Sequence, residues 1–351
     1  MPQPESQDAQ GFDVAVLGAS PFALLLAGML ASRYGRRVVL AGERFSALRL
    51  PASLGLGVGA FTRPETWDLM AGLEAETAAL LAKAGAAPKR LDITLIAERD
   101  STVERLGHIR YIVAGLHRKA VAARDRKSLT FPASLIVDEA ALHPAIDEWL
   151  TSLGVTRIED AAPAVSPAKR GPGTIAIGGR PVPVSQIILA DDNALHEYLT
   201  PAQFPSPLRA LEATAILTSA IRAPHPGVAL HLDRRVAIST RGPAILAHVA
   251  GITAADARLA RALEGYLPLV KLAARKLRLA ETRDGAPLIG WLKEPRLFIA
   301  AGLGVSAPLF APLVARAIAG EPTDAEKAWL DPRSPAQSAT RTAIAEVGHD
   351  E

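Results

Sequence analysis

The stretch Asp13-Val-Ala-Val-Leu-Gly-Ala-Ser-Pro-Phe-Ala23 reads as a buried strand running into a helix through a glycine turn. Residues 14–17 form a short apolar run. Pro21 stands where a first helical turn tolerates a missing N–H, and Ser20 is placed to cap that turn. The helix expected over 22–34 stops at Gly35, and a β-branched apolar run resumes at 37–41, which makes a βαβ unit with a parallel second strand.

A dinucleotide-binding turn of the form G-x-G-x-x-G places a glycine at the bend, a second where the pyrophosphate approaches and a third where helix meets strand. Here those positions hold Gly18, Ser20 and Ala23. One methyl at the third position is absorbed by packing. The Ser20 side chain takes space that a phosphate would use, although its hydroxyl can donate to a phosphate oxygen and the helix start still offers free N–H groups. Glu43 is the acid expected to meet the ribose, but it lies one step late, because Gly42 holds the usual place. A plain βαβ unit whose glycine only makes the turn fits this segment equally well.

Outward from the first unit, the alternating glycines of Leu50-Pro-Ala-Ser-Leu-Gly-Leu-Gly-Val-Gly59 form a loop that allows close backbone approach. Helix is expected over 64–85 and strand over 91–97. The polar stretch 101–127 belongs to a second lobe. A helix follows over 137–153, then a strand at 155–158, a hairpin turning at Gly178-Gly179, and a buried strand at 187–190. Strand-like runs fill 213–249, with a long helix expected over 254–272. A second glycine turn closes the pattern: strand 297–301, turn 302–306 and a helix ending at Gly320. Past Pro322 one short helix is expected near 325–330, followed by a polar, disordered end whose removal leaves folding intact.

The chain of 351 residues suits two lobes, and its core is aliphatic, with 5% aromatics. A formal charge of +3 without a basic stripe excludes a nucleic-acid partner; the run from His117 to Lys127 reads as a solvated face. The absence of cysteine excludes disulfides, thiol nucleophiles and cysteinyl cofactor links. The histidines lack metal spacing, so no metal is expected. Without a signal segment or a membrane span, the protein is expected to be soluble and cytoplasmic.

Three further segments carry a resemblance. Thr282-Arg-Asp-Gly-Ala-Pro-Leu-Ile-Gly290, followed by Leu297-Phe-Ile-Ala-Ala-Gly-Leu-Gly-Val-Ser306, resembles the carboxy-terminal motif of the D-amino acid oxidase-like FAD-dependent oxidoreductases, which include glycine and sarcosine oxidases. Val137-Asp-Glu-Ala-Ala-Leu142 resembles the family's V-D-P-x-x-L segment, and Val184-Ser-Gln-Ile-Ile-Leu-Ala190 its returning strand. The returning strand of the family ends in Ala-x-Gly, whereas here Asp191-Asp192-Asn193 follows Ala190. Two carboxylates there repel a pyrophosphate unless they point to solvent.

The resemblance implies an α/β fold: a Rossmann-like FAD-binding domain over 12–60, 130–200 and 285–321, and a largely antiparallel second domain over 61–129 and 201–284, with 322–351 as a tail. It implies non-covalent FAD on Gly18, Ser20, Ala23, Glu43, Ser53, Gly57, Gly302, Leu303, Gly304, Val305 and Ser306. The implied activity is oxidation of a small amine or amino acid by hydride transfer to flavin, with Arg278 and Arg283 as candidates for the substrate carboxylate. The departures at Ser20, Gly42 and Asp192 raise the alternative of a flavin-free descendant acting as a subunit or binding protein, with a protein partner or a second copy. A nicotinamide dehydrogenase is a third option, against which the carboxy-terminal turn stands.

Overall fold

The computed structural model describes residues 11–43, 50, 59–137, 139–158, 162–168, 171–220, 227–241, 243–251, 253–264, 270–293, 296–337, 344 and 346. In chain order the first elements are β1 (Phe12–Leu17), α1 (Pro21–Tyr34), β2 (Val38–Ala41), α2 (Pro64–Lys83), β3 (Lys89–Ile96), α3 (Asp100–Gly115), β4 (Val121–Ala122) and β5 (Ser128–Ile136). Next come α4 (Glu139–Ser152), β6 (Thr156–Ile158), β7 (Val165–Ser166), β8 (Gly173–Ile177), β9 (Arg180–Leu189) and α5 (Asp192–Tyr198). The remainder is β10 (Leu208–Ala220), β11 (Gly227–His231), β12 (Val236–Arg241), β13 (Ala244–Ala250), α6 (Ala255–Ala262), β14 (Lys271–Thr282), β15 (Leu288–Trp291), β16 (Phe298–Ala301), α7 (Ala311–Ala319) and α8 (Asp324–Leu330).

Two sheets organise the molecule. The first runs β15-β16-β9-β1-β2-β6, parallel from β16 to β6, with the β8 and β7 strands hanging from β9. Its central strand is covered on both faces. Val14 and Val16 look into the core shared with α1, α4 and α7, while Ala15 and Leu17 join a second core with residues of β9, β16 and α5. Buried residues occupy every position of α1 from Pro21 to Leu30, so this helix is enclosed rather than amphipathic. The Ser20 hydroxyl accepts the Ala23 N–H at its start, and Gly35 closes it in the left-handed conformation (φ 58°), as the sequence predicts.

The second sheet runs β14-β10-β13-β12-β11-β3-β5-β4 and is antiparallel apart from the β11–β3 pair. The fold is thus α/β with a discontinuous, largely antiparallel second sheet. Residue 130, the expected lobe boundary, falls inside β5, which pairs with β3 along its length. Helix α2 packs on α1 and α7 beside the first sheet.

Two expectations are corrected. The long helix over 254–272 is only α6, ending at Ala262; from Lys271 the chain is β14, whose eleven-residue pairing with β10 overrides the helical preference of its Ala and Leu residues. The described residues of the tail are packed rather than loose. Arg333 and Glu346 are 2% and 0% exposed and form a buried ion pair, with the Arg333 guanidinium 4.0 Å from the Trp329 ring centre. The returning chain is fixed at Ile344, whose N–H donates to Asp284 Oδ2 at 3.0 Å and whose carbonyl accepts from Arg63 Nε at 2.7 Å. No described helix is long and apolar enough to cross a membrane.

Candidate functional site

Strand β1 delivers the chain to Gly18, whose φ of 146° only glycine adopts freely, and α1 starts immediately beyond. The first N–H groups of such a helix start lack partners within the helix and face the positive end of its dipole, a setting suited to an anion. The occupant here belongs to the chain. Asp191, at the end of β9, accepts the N–H of Ala19 at 2.8 Å and that of Ser20 at 3.2 Å through Oδ2, and caps α5 by accepting the Ala194 N–H at 2.9 Å through Oδ1. A Cβ on Gly18 would lie 2.7 Å from Asp191 Oδ2, so the glycine's missing side chain is the space in which this carboxylate sits.

The adjacent carboxylate differs. Asp192 is closely surrounded by protein, and burial, together with the neighbouring charges of Asp191 and Glu281, pushes its pKa up to about 7 against the help of the Ala280 backbone N–H. Burial also raises Asp191, opposed by the N–H groups of Ala194, Ala19, Ser20 and Asn193. The sequence places two carboxylates here that repel a phosphate unless they face solvent; Asp191 does not face solvent but points inward, onto the amides of the α1 turn.

Glu43, the acid expected to meet a ribose, is similarly engaged. Arg275 on β14 donates from Nη2 to Glu43 Oε2 at 2.6 Å and from Nη1 to the Leu50 carbonyl at 2.9 Å, tying the end of β2 to the second sheet. Gly42 stands in the usual acid position for a steric reason: a Cβ there would be 2.6 Å from the Gly18 carbonyl oxygen.

The carboxy-terminal turn lies across the same cleft. Gly302 and Gly304 adopt φ of 68° and 53°, and a tight helical segment over Gly304–Phe310 leads into α7. A cavity of about 60 Å³ joins the two turns, bordered by Ser20, Asp191, Asp192, Arg278, Leu303 and Gly304 among others. Ser306 is 1% exposed, its hydroxyl meets no hydrogen-bond partner among the described residues, and a Cβ on Gly59 would lie 3.1 Å from it.

The structure thus brings Ser20, Leu303, Gly304 and Arg278 to one cavity, with Gly18 and Ala23 behind its Asp191 and with Gly302, Val305 and Ser306 in the turn that borders it. Glu43 is held in its ion pair. Arg283 is exposed and does not border the cavity; its backbone N–H donates to the Pro207 carbonyl. Ser53 and Gly57 lie outside the described residues. Sequence reasoning missed Arg275, which lies three residues beyond the helix expected over 254–272, and it did not foresee that Asp191 would cap across the fold.

Neither a family model nor a curated protein matches the sequence of this chain. Solved structures do match its fold. L-proline dehydrogenase from P. horikoshii aligns with a TM-score of 0.73 at 15% identity, over 94% of this chain and 98% of that one. Glycine oxidase from Geobacillus kaustophilus gives 0.71 at 15% identity, covering 96% and 99%, and L-amino acid deaminase from Proteus vulgaris 0.70 at 15%, covering 95% and 96%. The chain has the fold of the D-amino acid oxidase and glycine oxidase-like oxidoreductases. The residues present do not fit the FAD that the sequence resemblance implies at the α1 turn, because Asp191 already holds the Ala19 and Ser20 amides.

Proposed function

We propose that this chain is a flavin-free form of the oxidoreductase fold, working as a subunit or binding protein. One observation carries the reading: the Asp191 carboxylate occupies the amides of the α1 turn, so a pyrophosphate brought there must displace a partnered negative charge and then face Asp192. The Glu43–Arg275 pair supports it from the end of β2, since the acid expected to meet a ribose is engaged with a guanidinium. The test is the visible absorbance of the purified protein before and after incubation with FAD and desalting. The expected protein is colourless throughout; one that retains stoichiometric yellow flavin would refute the reading.

A second reading, an FAD-dependent oxidoreductase of a small amine or amino acid, draws on the shared fold and on the orphaned Ser306 hydroxyl beside the carboxy-terminal turn. In that reading Arg278 is the cation for a substrate carboxylate, because it borders the cavity whereas Arg283 does not. Stoichiometric flavin in the absorbance test would make this the working account.

A further inference from the structure

Asp191 does for the α1 turn what a bound anion does for a helix start. Its Oδ2 fills the space beside Gly18 and takes two backbone N–H groups 171 and 172 residues distant in sequence, while its Oδ1 caps α5. One side chain therefore serves two helix starts and clasps the end of β9 to the β1 turn. We infer that Asp191 is a tethered anionic ligand standing where the fold would hold a diphosphate, and that shortening this one side chain converts the α1 turn into a site for a free diphosphate.

The inference rests on the flavin-free reading and adds to it the reason the site is closed and the chemistry it would accept. A carboxylate fixed in the chain competes at a high effective concentration, with no association entropy to lose, so a free anion cannot displace it. Once it is removed, the Ala19 and Ser20 N–H groups and the α1 dipole remain, and the Gly18 surface leaves room for an oxygen. The remaining charge facing the site is Asp192, with Arg278 across the cavity. Burial and the Glu281 charge still raise the pKa of Asp192 once Asp191 is gone, so Asp192 opposes an anion least at low pH.

The experiment compares wild type, Asp191→Ser and Asp191→Asn by thermal melting at about pH 6, in about 10 mM inorganic pyrophosphate or in sodium chloride of matched ionic strength. Serine keeps an oxygen for the α5 cap and withdraws the carboxylate from Ala19 and Ser20. In chloride, Asp191→Ser is expected to melt roughly 3–6 °C below wild type. Pyrophosphate recovers at least half of that loss, gives Asp191→Asn a smaller rise, and moves wild type by under about 1 °C. Should Asp191→Ser fail to fold, the Asp191→Asn comparison carries the test. A pyrophosphate response no larger in either variant than in wild type would overturn the inference. That failure leaves the flavin-free reading standing if wild type stays colourless with FAD, whereas a yellow wild type removes the reading itself.

Discussion

Asp191 and Asp192 are neighbours in sequence with opposite fates. Asp191 is surrounded by four backbone N–H groups, whereas Asp192 has the Ala280 N–H alone and two like charges nearby. An aspartate normally titrates near 3.9. With its folded value raised to about 7, Asp192 binds a proton more readily in the folded state than in the unfolded one, so its contribution favours folding at low pH and falls away between about pH 4 and 7. Asp192→Asn should therefore raise the melting temperature at pH 8 and flatten its dependence between pH 5 and 7; an unchanged profile would contradict the assignment. Both residues are plain in the sequence, where they predict repulsion of a phosphate. What the sequence does not disclose is that Asp191 meets amides 172 residues away, because that pairing exists only once β9 lies beside β1.

Helix α1 shows why the elements of the first unit were readable. Its cap, its Pro21 start and its Gly35 stop act within one turn of the chain, so local chemistry fixes them. Its packing is not local. A Cβ on Gly28 would stand 2.0 Å from a ring carbon of Trp149 on α4, so this glycine is where the two helices meet. Gly28→Ala should cost about 1–3 kcal/mol by overpacking, despite alanine's better helix propensity, and urea denaturation reads it. A variant as stable as wild type would show that α4 sits farther away. The opposite failure occurred at 254–272, where Ala and Leu content imitates a helix although Gly265 and Pro268 interrupt it. Beyond them the partner strand β10 decides the conformation.

Across the whole molecule the two glycine turns face one cleft, as the resemblance implies, but the cleft is closed by the chain's own groups: Asp191 on α1 and Arg275 on Glu43. The tail adds a second long-range clasp, returning past Arg333 to Asp284, Thr62 and Arg63. Its polarity suggested a free end; the buried Arg333–Glu346 pair gives two of those charges internal partners instead. Removing Glu346 alone leaves Arg333 buried without its carboxylate, and Glu346→Ala should destabilise by about 3–5 kcal/mol in urea denaturation, with deletion of 331–351 at least as costly; no loss in either would place the tail outside the fold. Cofactor occupancy is read most directly by an equilibrium titration of FAD with the wild-type protein followed by flavin fluorescence anisotropy. A flavin-free chain gives no saturable change with protein in the tens of micromolar, whereas a saturating one-to-one transition would contradict the flavin-free reading.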